Sequence, residues 1–143
     1  MSEEEIDARL AKALENVPGV RGVSNHMGSK STEDPVLMTA IFKYLKKKRL
    51  YFFDSLTSEK SVASAAAKKT GLAYARRDIF LDNLDDTAYI EKQLLEMRAL
   101  AFRRGRVIAV CHDRKRTITA LSKLMPAIRR DGIDFVGLSA MVE

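Results

Sequence analysis

Stretches of helical periodicity alternate with short apolar runs from one end of this chain to the other. Two strands joined by a helix-length crossover pair in parallel, because a tight turn would reverse the chain. The alternation therefore predicts an α/β fold on a parallel sheet of about five strands. Ser2 and Glu5 form a capping-box pattern, and Ile6, Leu10, Ala13, Leu14 and Val17 follow at helical spacing. Pro18-Gly19 ends that helix, and a short strand is expected from Val20 to Ser24. His26 to Glu33 reads as a polar loop. Asp34-Pro35 then starts a helix whose buried stripe is Leu37, Met38, Ile41, Phe42 and Leu45. Leu50 to Phe53 reads as a strand covered on both faces.

Ser58 to Lys69 is expected to be an alanine-rich helix, with Val62, Ala65 and Ala66 inward, stopped by Gly71. Leu72 to Ala75 and Ile79 to Leu81 are both strand candidates, and which of them joins the sheet stays open at this level. Asp86 to Arg104 is a long helix with Ile90, Leu94, Met97 and Ala101 on one face, closed by Gly105. Val107 to Cys111 is the clearest strand. Arg116 to Arg130 follows as a helix carrying Ile118, Leu121, Leu124, Met125 and Ile128, with Pro126 expected to kink or shorten its last turn. Ile133 to Val136 is read as a final strand after the Asp131-Gly132 turn. The 143 residues suit one domain. An open doubly wound sheet and part of a (β/α) barrel, which normally needs roughly 250 residues, both fit this pattern.

No run of about 18 apolar residues is present, so no membrane-spanning helix is expected. The acidic start, Met1-Ser2-Glu3-Glu4-Glu5, is unlike an export signal. The single cysteine, Cys111, has no internal disulfide partner and is expected to be an inert buried thiol. The net charge is +6, and the bases cluster at Lys46–Arg49, Arg103–Arg106, Arg114–Arg116 and Arg129–Arg130. Three of these clusters end predicted helices, where cations complement the dipole. Arg114-Lys115-Arg116 instead follows a strand and is placed to hold an anionic group. No helix-turn-helix, zinc-knuckle or aromatic RNA-binding signature accompanies the charge, so no nucleic-acid partner is expected.

Four groups able to bind metal or move protons come directly after apolar runs: His26, Asp54, Asp82 and His112. In a parallel sheet those positions lie at the carboxyl edge, where strand-to-helix loops converge and chemistry is done.

The blocks around these residues resemble a known family. Gly22-Val23-Ser24-Asn25-His26-Met27-Gly28-Ser29 is similar to a signature of the divergent polysaccharide deacetylases. Phe53-Asp54-Ser55-Leu56-Thr57-Ser58 resembles that family's aspartate-serine-x-threonine-serine element. Arg77–Asn83 and Val107–His112, with Thr117 beyond, resemble two further blocks in family order. The likeness runs from Val17 to Val142.

The resemblance implies part of a distorted (β/α) barrel of the glycoside hydrolase/deacetylase type. It implies a metal-dependent hydrolase of C–N bonds that removes acetyl groups from an amino sugar or polysaccharide. A divalent metal, zinc foremost, would activate water, with His26 as a ligand. His112 would be the catalytic acid, and Asp54 or Asp82 would orient a histidine or add a ligand. Asn25, Ser29, Ser55, Thr57 and Asp82 would contact the carbohydrate or support the site. A bacterial periplasmic or envelope location is implied as well.

Two departures stand out. The family's amino-terminal half, which carries an early aspartate pair, has no counterpart here, so this reads as a truncated single domain. A homodimer, or pairing with that missing half, would cover its open edge. The fourth block reads Cys111-His112-Asp113 where the family has glycine-histidine-proline. The competing expectations are a non-catalytic carbohydrate-binding domain on the same frame, and a small doubly wound domain holding an anion through Arg114 and Lys115.

Overall fold

The computed structural model describes residues 1–143. Its elements run α1 (Glu3–Glu15), β1 (Gly22–Ser24), α2 (Ser29–Glu33), α3 (Pro35–Lys47), β2 (Tyr51–Asp54), α4 (Ala63–Thr70), β3 (Tyr74–Arg76), β4 (Ile79–Phe80), α5 (Thr87–Arg104), β5 (Ala109–Val110) and α6 (Lys115–Arg130), then a 3-10 turn at Leu138–Ala140. Every strand pair is parallel. The residues gather into two compact units: Met1–Arg76 with Ser139–Glu143, and Arg77–Leu138.

The expected single sheet of about five strands is corrected to two sheets, and no barrel forms. One sheet has the order β1-β2-β3, and the other pairs β4 with β5. The reason lies in the Arg77-Asp78 step. Only these two residues separate β3 from β4, far short of the dozen or so needed for a parallel crossover. Both strand candidates are therefore strands, in different sheets. Asp78 secures the second sheet: its carboxylate accepts from the Ile108 amide at 2.8 Å and from Arg104 at 3.2 Å.

Other boundaries also move. Val107–Cys111 narrows to Ala109–Val110, because its partner β4 is only two residues long. Ile133–Val136 is not a strand. It has no ladder neighbour, and Ile133 and Phe135 pack as irregular chain against the core of their unit. The loop expected from His26 to Glu33 contains the short helix α2. The helix expected from Ser58 starts only at Ala63, because the chain before it is irregular, with a turn at Glu59–Lys60. It buries Ala63, Ala66 and Ala67, and Ala65 is exposed. Pro126 lies inside α6, which nonetheless continues to Arg130. Ile118 is 52% exposed and leaves the expected stripe.

In the first unit α3 buries Met38, Phe42 and Leu45 against α4 and β2. The Phe42 and Phe52 rings are centred 4.8 Å apart. The capping that the sequence specifies is present: Ser2 and Glu5 exchange bonds at α1. The Asp34 carboxylate accepts from the amides of Val36 and Leu37 at 2.9 and 3.0 Å. In the second unit Ile90, Leu94 and Met97 of α5 pack with Ala120 and Ile128 of α6 over Ile79 and Leu81.

One glycine is dictated by packing. Gly22 pairs with Tyr51 across β1 and β2, and the Tyr51 ring lies over it. A Cβ built at Gly22 would fall 2.2 Å from the ring carbon Cε2. Gly22→Ala is expected to lower stability by about 1–3 kcal/mol through overpacking. Urea unfolding of Gly22→Ala, Tyr51→Ala and the double variant checks this. The double variant should cost less than the sum of the singles, and strict additivity would show that the ring is not the obstacle.

Candidate functional site

Each unit gathers a polar cluster at the carboxyl ends of its own strands. In the first unit, Asp54 ends β2 and is fully buried. Its Oδ1 accepts from the Leu56 amide at 2.8 Å, and its Oδ2 accepts from Ser61 Oγ at 2.7 Å and Tyr74 OH at 3.4 Å. Burial first, and then the Asp54 charge, push the Tyr74 phenol well above its ordinary value, with Arg76 opposing.

Asn25, just past β1, ties the first two loops together. Its Oδ1 accepts from the Ser55 amide, and its carbonyl accepts from Ser55 Oγ, both at 2.8 Å. Its Nδ2 reaches Thr57 Oγ1 at 3.3 Å, and Thr57 Oγ1 donates to the Met27 carbonyl at 3.1 Å. Met27 and Leu56 both adopt left-handed backbone, with φ of 58° and 54°. Non-glycine residues hold that conformation at a cost of about 1–2 kcal/mol, and this network is what fixes it. His26 is exposed beside it, and Ser29 is exposed at the start of α2. Asn25, Ser55 and Thr57 therefore meet, while Ser29 and His26 stand on the surface next to them.

The second unit brings an aspartate and a histidine together. Phe80 and Val110 are register partners, and Asp82 and His112 each lie two residues further on. They therefore leave the sheet side by side. Asp82 is fully buried. Its Oδ2 accepts from Thr117 Oγ1 at 2.7 Å and from the His112 amide at 3.0 Å. His112 Nδ1 lies 3.0 Å from Oδ1. A carboxylate can only accept, so the ring proton resides on Nδ1. Nε2 is left without a partner on a side chain that is 41% exposed. Phe80 backs the ring at 5.1 Å between centroids.

Burial works to raise the Asp82 pKa. The Thr117 hydroxyl, the His112 amide and the His112 ring outweigh it, and the carboxyl is held below its usual value. Cys111 next door is driven upward by burial and then by the Asp82 charge, so it stays a thiol.

Two supporting hydroxyls were not assigned roles from sequence, and Arg114, expected to hold an anion, also supports the site. Thr117 stands in the first turn of α6, Ser61 lies just before α4, and Arg114 donates to the Asp82 carbonyl at 3.0 Å. The available signal was position, since each small hydroxyl lies seven residues past a strand end, close to where the next helix begins.

In neither unit do three histidine, cysteine or acidic side chains gather closely enough to share an ion. The residues of this chain do not by themselves compose the metal site that the family resemblance implies.

Parallel strands with an aspartate–histidine pair at their ends define a class of α/β protein whose chemistry sits at the strand-to-helix loops. The model of the divergent polysaccharide deacetylase family matches residues 1–142, and the chain belongs to that family. An uncharacterized protein of Haemophilus influenzae is 37% identical over 138 residues, covering 96% of this chain and 49% of its own length. The uncharacterized protein YibQ of Escherichia coli is 36% identical over 125 residues, covering 87% and 39%. The crystal structure of the uncharacterized protein ATU2773 from Agrobacterium tumefaciens C58 superposes with a TM-score of 0.94 at 25% identity, over 99% of this chain and 58% of that one. The chain thus spans half or less of the curated relatives it matches.

The pairing at Asp82 makes stability pH-dependent. A carboxylate with a depressed folded pKa stabilises the fold above its unfolded value, about 4. That contribution is lost as the pH falls through the folded value. Thr117→Val removes one donor, raises the folded value, and should move acid unfolding to higher pH. Circular dichroism during acid titration reads the midpoint. An unchanged midpoint would mean that the Thr117 hydroxyl does not hold the charge.

Proposed function

We propose that this chain carries the acid–base centre of a hydrolase that removes acyl groups from an amino sugar or polysaccharide. The observation that carries the reading is the Asp82–His112 pair, with Nδ1 tied to a buried carboxylate and Nε2 unpartnered on a side chain that is 41% exposed. Such an imidazole is fixed in one tautomer and one orientation, as an acid–base group requires. Nε2 takes a proton from the attacking water. It returns that proton to the amine nitrogen as the C–N bond breaks, so one amide and one water give one carboxylic acid and one amine. The Asp82 charge stabilises the imidazolium between the two transfers.

Asp54, Asn25, Ser55 and Thr57 serve as positioning residues. Their hydrogen bonds are made to one another and to the loops after β1 and β2, shaping the surface on which His26 and Ser29 stand. A divalent metal, zinc foremost, with His26 as one donor belongs to the proposal on family membership, and when bound it would supply Lewis acidity. A bacterial envelope location and a carbohydrate substrate belong to the same proposal, and rest on family membership.

A second reading has its own support. The lack of a gathered donor set in either unit favours a carbohydrate-binding domain that keeps the deacetylase frame without turnover. Deacetylation of acetylated chito-oligosaccharides, followed by acetate release, separates the two. The hydrolase reading expects His112→Gln to abolish turnover and Asp82→Asn to lower kcat by about 100- to 10,000-fold, with binding of the oligosaccharide retained in both. Binding of the oligosaccharide with no acetate released by the unmodified protein would establish the second reading.

A further inference from the structure

The second unit holds a cleft of about 460 Å³ lined by Asp85, Thr87, Arg114, Lys115, Arg116 and Thr119. Three successive cations face one carboxylate there, and that carboxylate is already engaged: Arg116 pairs with Asp85 at 2.7 Å. Arg114 is anchored by its bond to the Asp82 carbonyl at 3.0 Å, which occupies one of its guanidinium donors. Lys115 forms no ion pair. The hydroxyls of Thr87 and Thr119 add uncharged donors to the wall. The lining therefore carries an excess of positive charge in a concave site, where field lines concentrate.

The placement matters as much as the charge. Arg114, Lys115 and Arg116 lie between His112 and Thr117, both of which bond Asp82. The cleft and the acid–base pair are thus built from one segment. His112 does not itself line the cleft, and the two are linked through this shared segment. Neutral sugars do not call for three adjacent cations, whereas a carboxylate or phosphate does.

We infer that this cleft binds an oxyanion carried on a sugar, the carboxylate of a uronate or the phosphate of a sugar phosphate. It would thereby select an anionic glycan for the site at His112. The substrate part of the inference rests on the hydrolase reading, but the binding part does not. Lys115 is the residue that decides it, because it is unpaired and its replacement leaves the Arg116–Asp85 and Arg114–Asp82 contacts intact.

The test is a nuclear magnetic resonance titration of the whole chain with glucuronate, glucose 6-phosphate, inorganic phosphate and glucose. Glucuronate or glucose 6-phosphate should shift the amides of Lys115–Thr119 saturably, and glucose should not. Affinity should fall with added salt. Lys115→Gln should weaken binding about fivefold and Lys115→Arg should restore it. Lys68→Gln, which removes the same charge elsewhere, should change nothing. Which of the two charged sugars binds tells a carboxylate from a phosphate. The inference is overturned if glucose binds as tightly as the charged sugars. It is also overturned if inorganic phosphate binds while neither charged sugar does, or if Lys115→Gln has no effect. Its failure is separable from that of the hydrolase reading. Loss of turnover in His112→Gln with no charged-sugar binding removes only the cleft, and charged-sugar binding without any turnover removes only the hydrolase.

Discussion

A carboxylate with no exposure to water must be matched by donors or it will not stay charged. Asp82 is in that position, and the chain meets the demand from three directions: the His112 amide, the His112 ring and the Thr117 hydroxyl. These contacts join the end of β4 to the segment after β5 and to the first turn of α6. The sheet they secure has only two residues in each strand, which is little ladder to hold a register. The buried charge therefore does structural work as well as orienting an imidazole. The start of α6 is a favourable place for it, since helix amino-termini carry partial positive charge.

The first unit solves the same problem differently. Asp54 also ends a parallel strand and is also fully buried. Its partners are a backbone amide and a serine in the segment after β2 and a tyrosine of β3, all uncharged donors. That arrangement closes the carboxylate off and fastens Leu56 in its left-handed conformation. Asp82 instead bonds a partly exposed side chain whose far nitrogen has no partner. Two aspartates in equivalent sequence settings thus have different chemical prospects, and the difference lies entirely in what donates to them.

This explains which parts were legible in the sequence. The alternation of elements, the parallel pairing, the caps at Ser2 and Asp34, and the strand-end placement of Asp54 and Asp82 all follow from local pattern. The split into two sheets did not, because it depends on the two-residue spacing between β3 and β4. Pattern alone marks both as strands without saying that they cannot be parallel neighbours. Ile133–Val136 alternates like a strand but lacks a partner, and no local rule supplies that fact. The site was readable as residue types at one kind of position. Which aspartate meets a histidine required the register of β4 on β5, and the roles of Thr117 and Ser61 required knowing where α6 and α4 begin.

The requirement that makes the Asp82–His112 pair suitable for moving protons is stability in both charge states. With His112 protonated, the buried carboxylate faces a cation and the local charge is balanced. When the proton leaves Nε2, the Nδ1–H bond remains, and so do the Thr117 hydroxyl and the His112 amide. The buried charge is therefore never left bare, whichever way the proton goes. An aspartate held by the imidazole alone would lose most of its compensation on each deprotonation, and its own pKa would rise into competition with the ring. Thr117 and the backbone amide prevent this. They hold Asp82 ionised independently of the histidine.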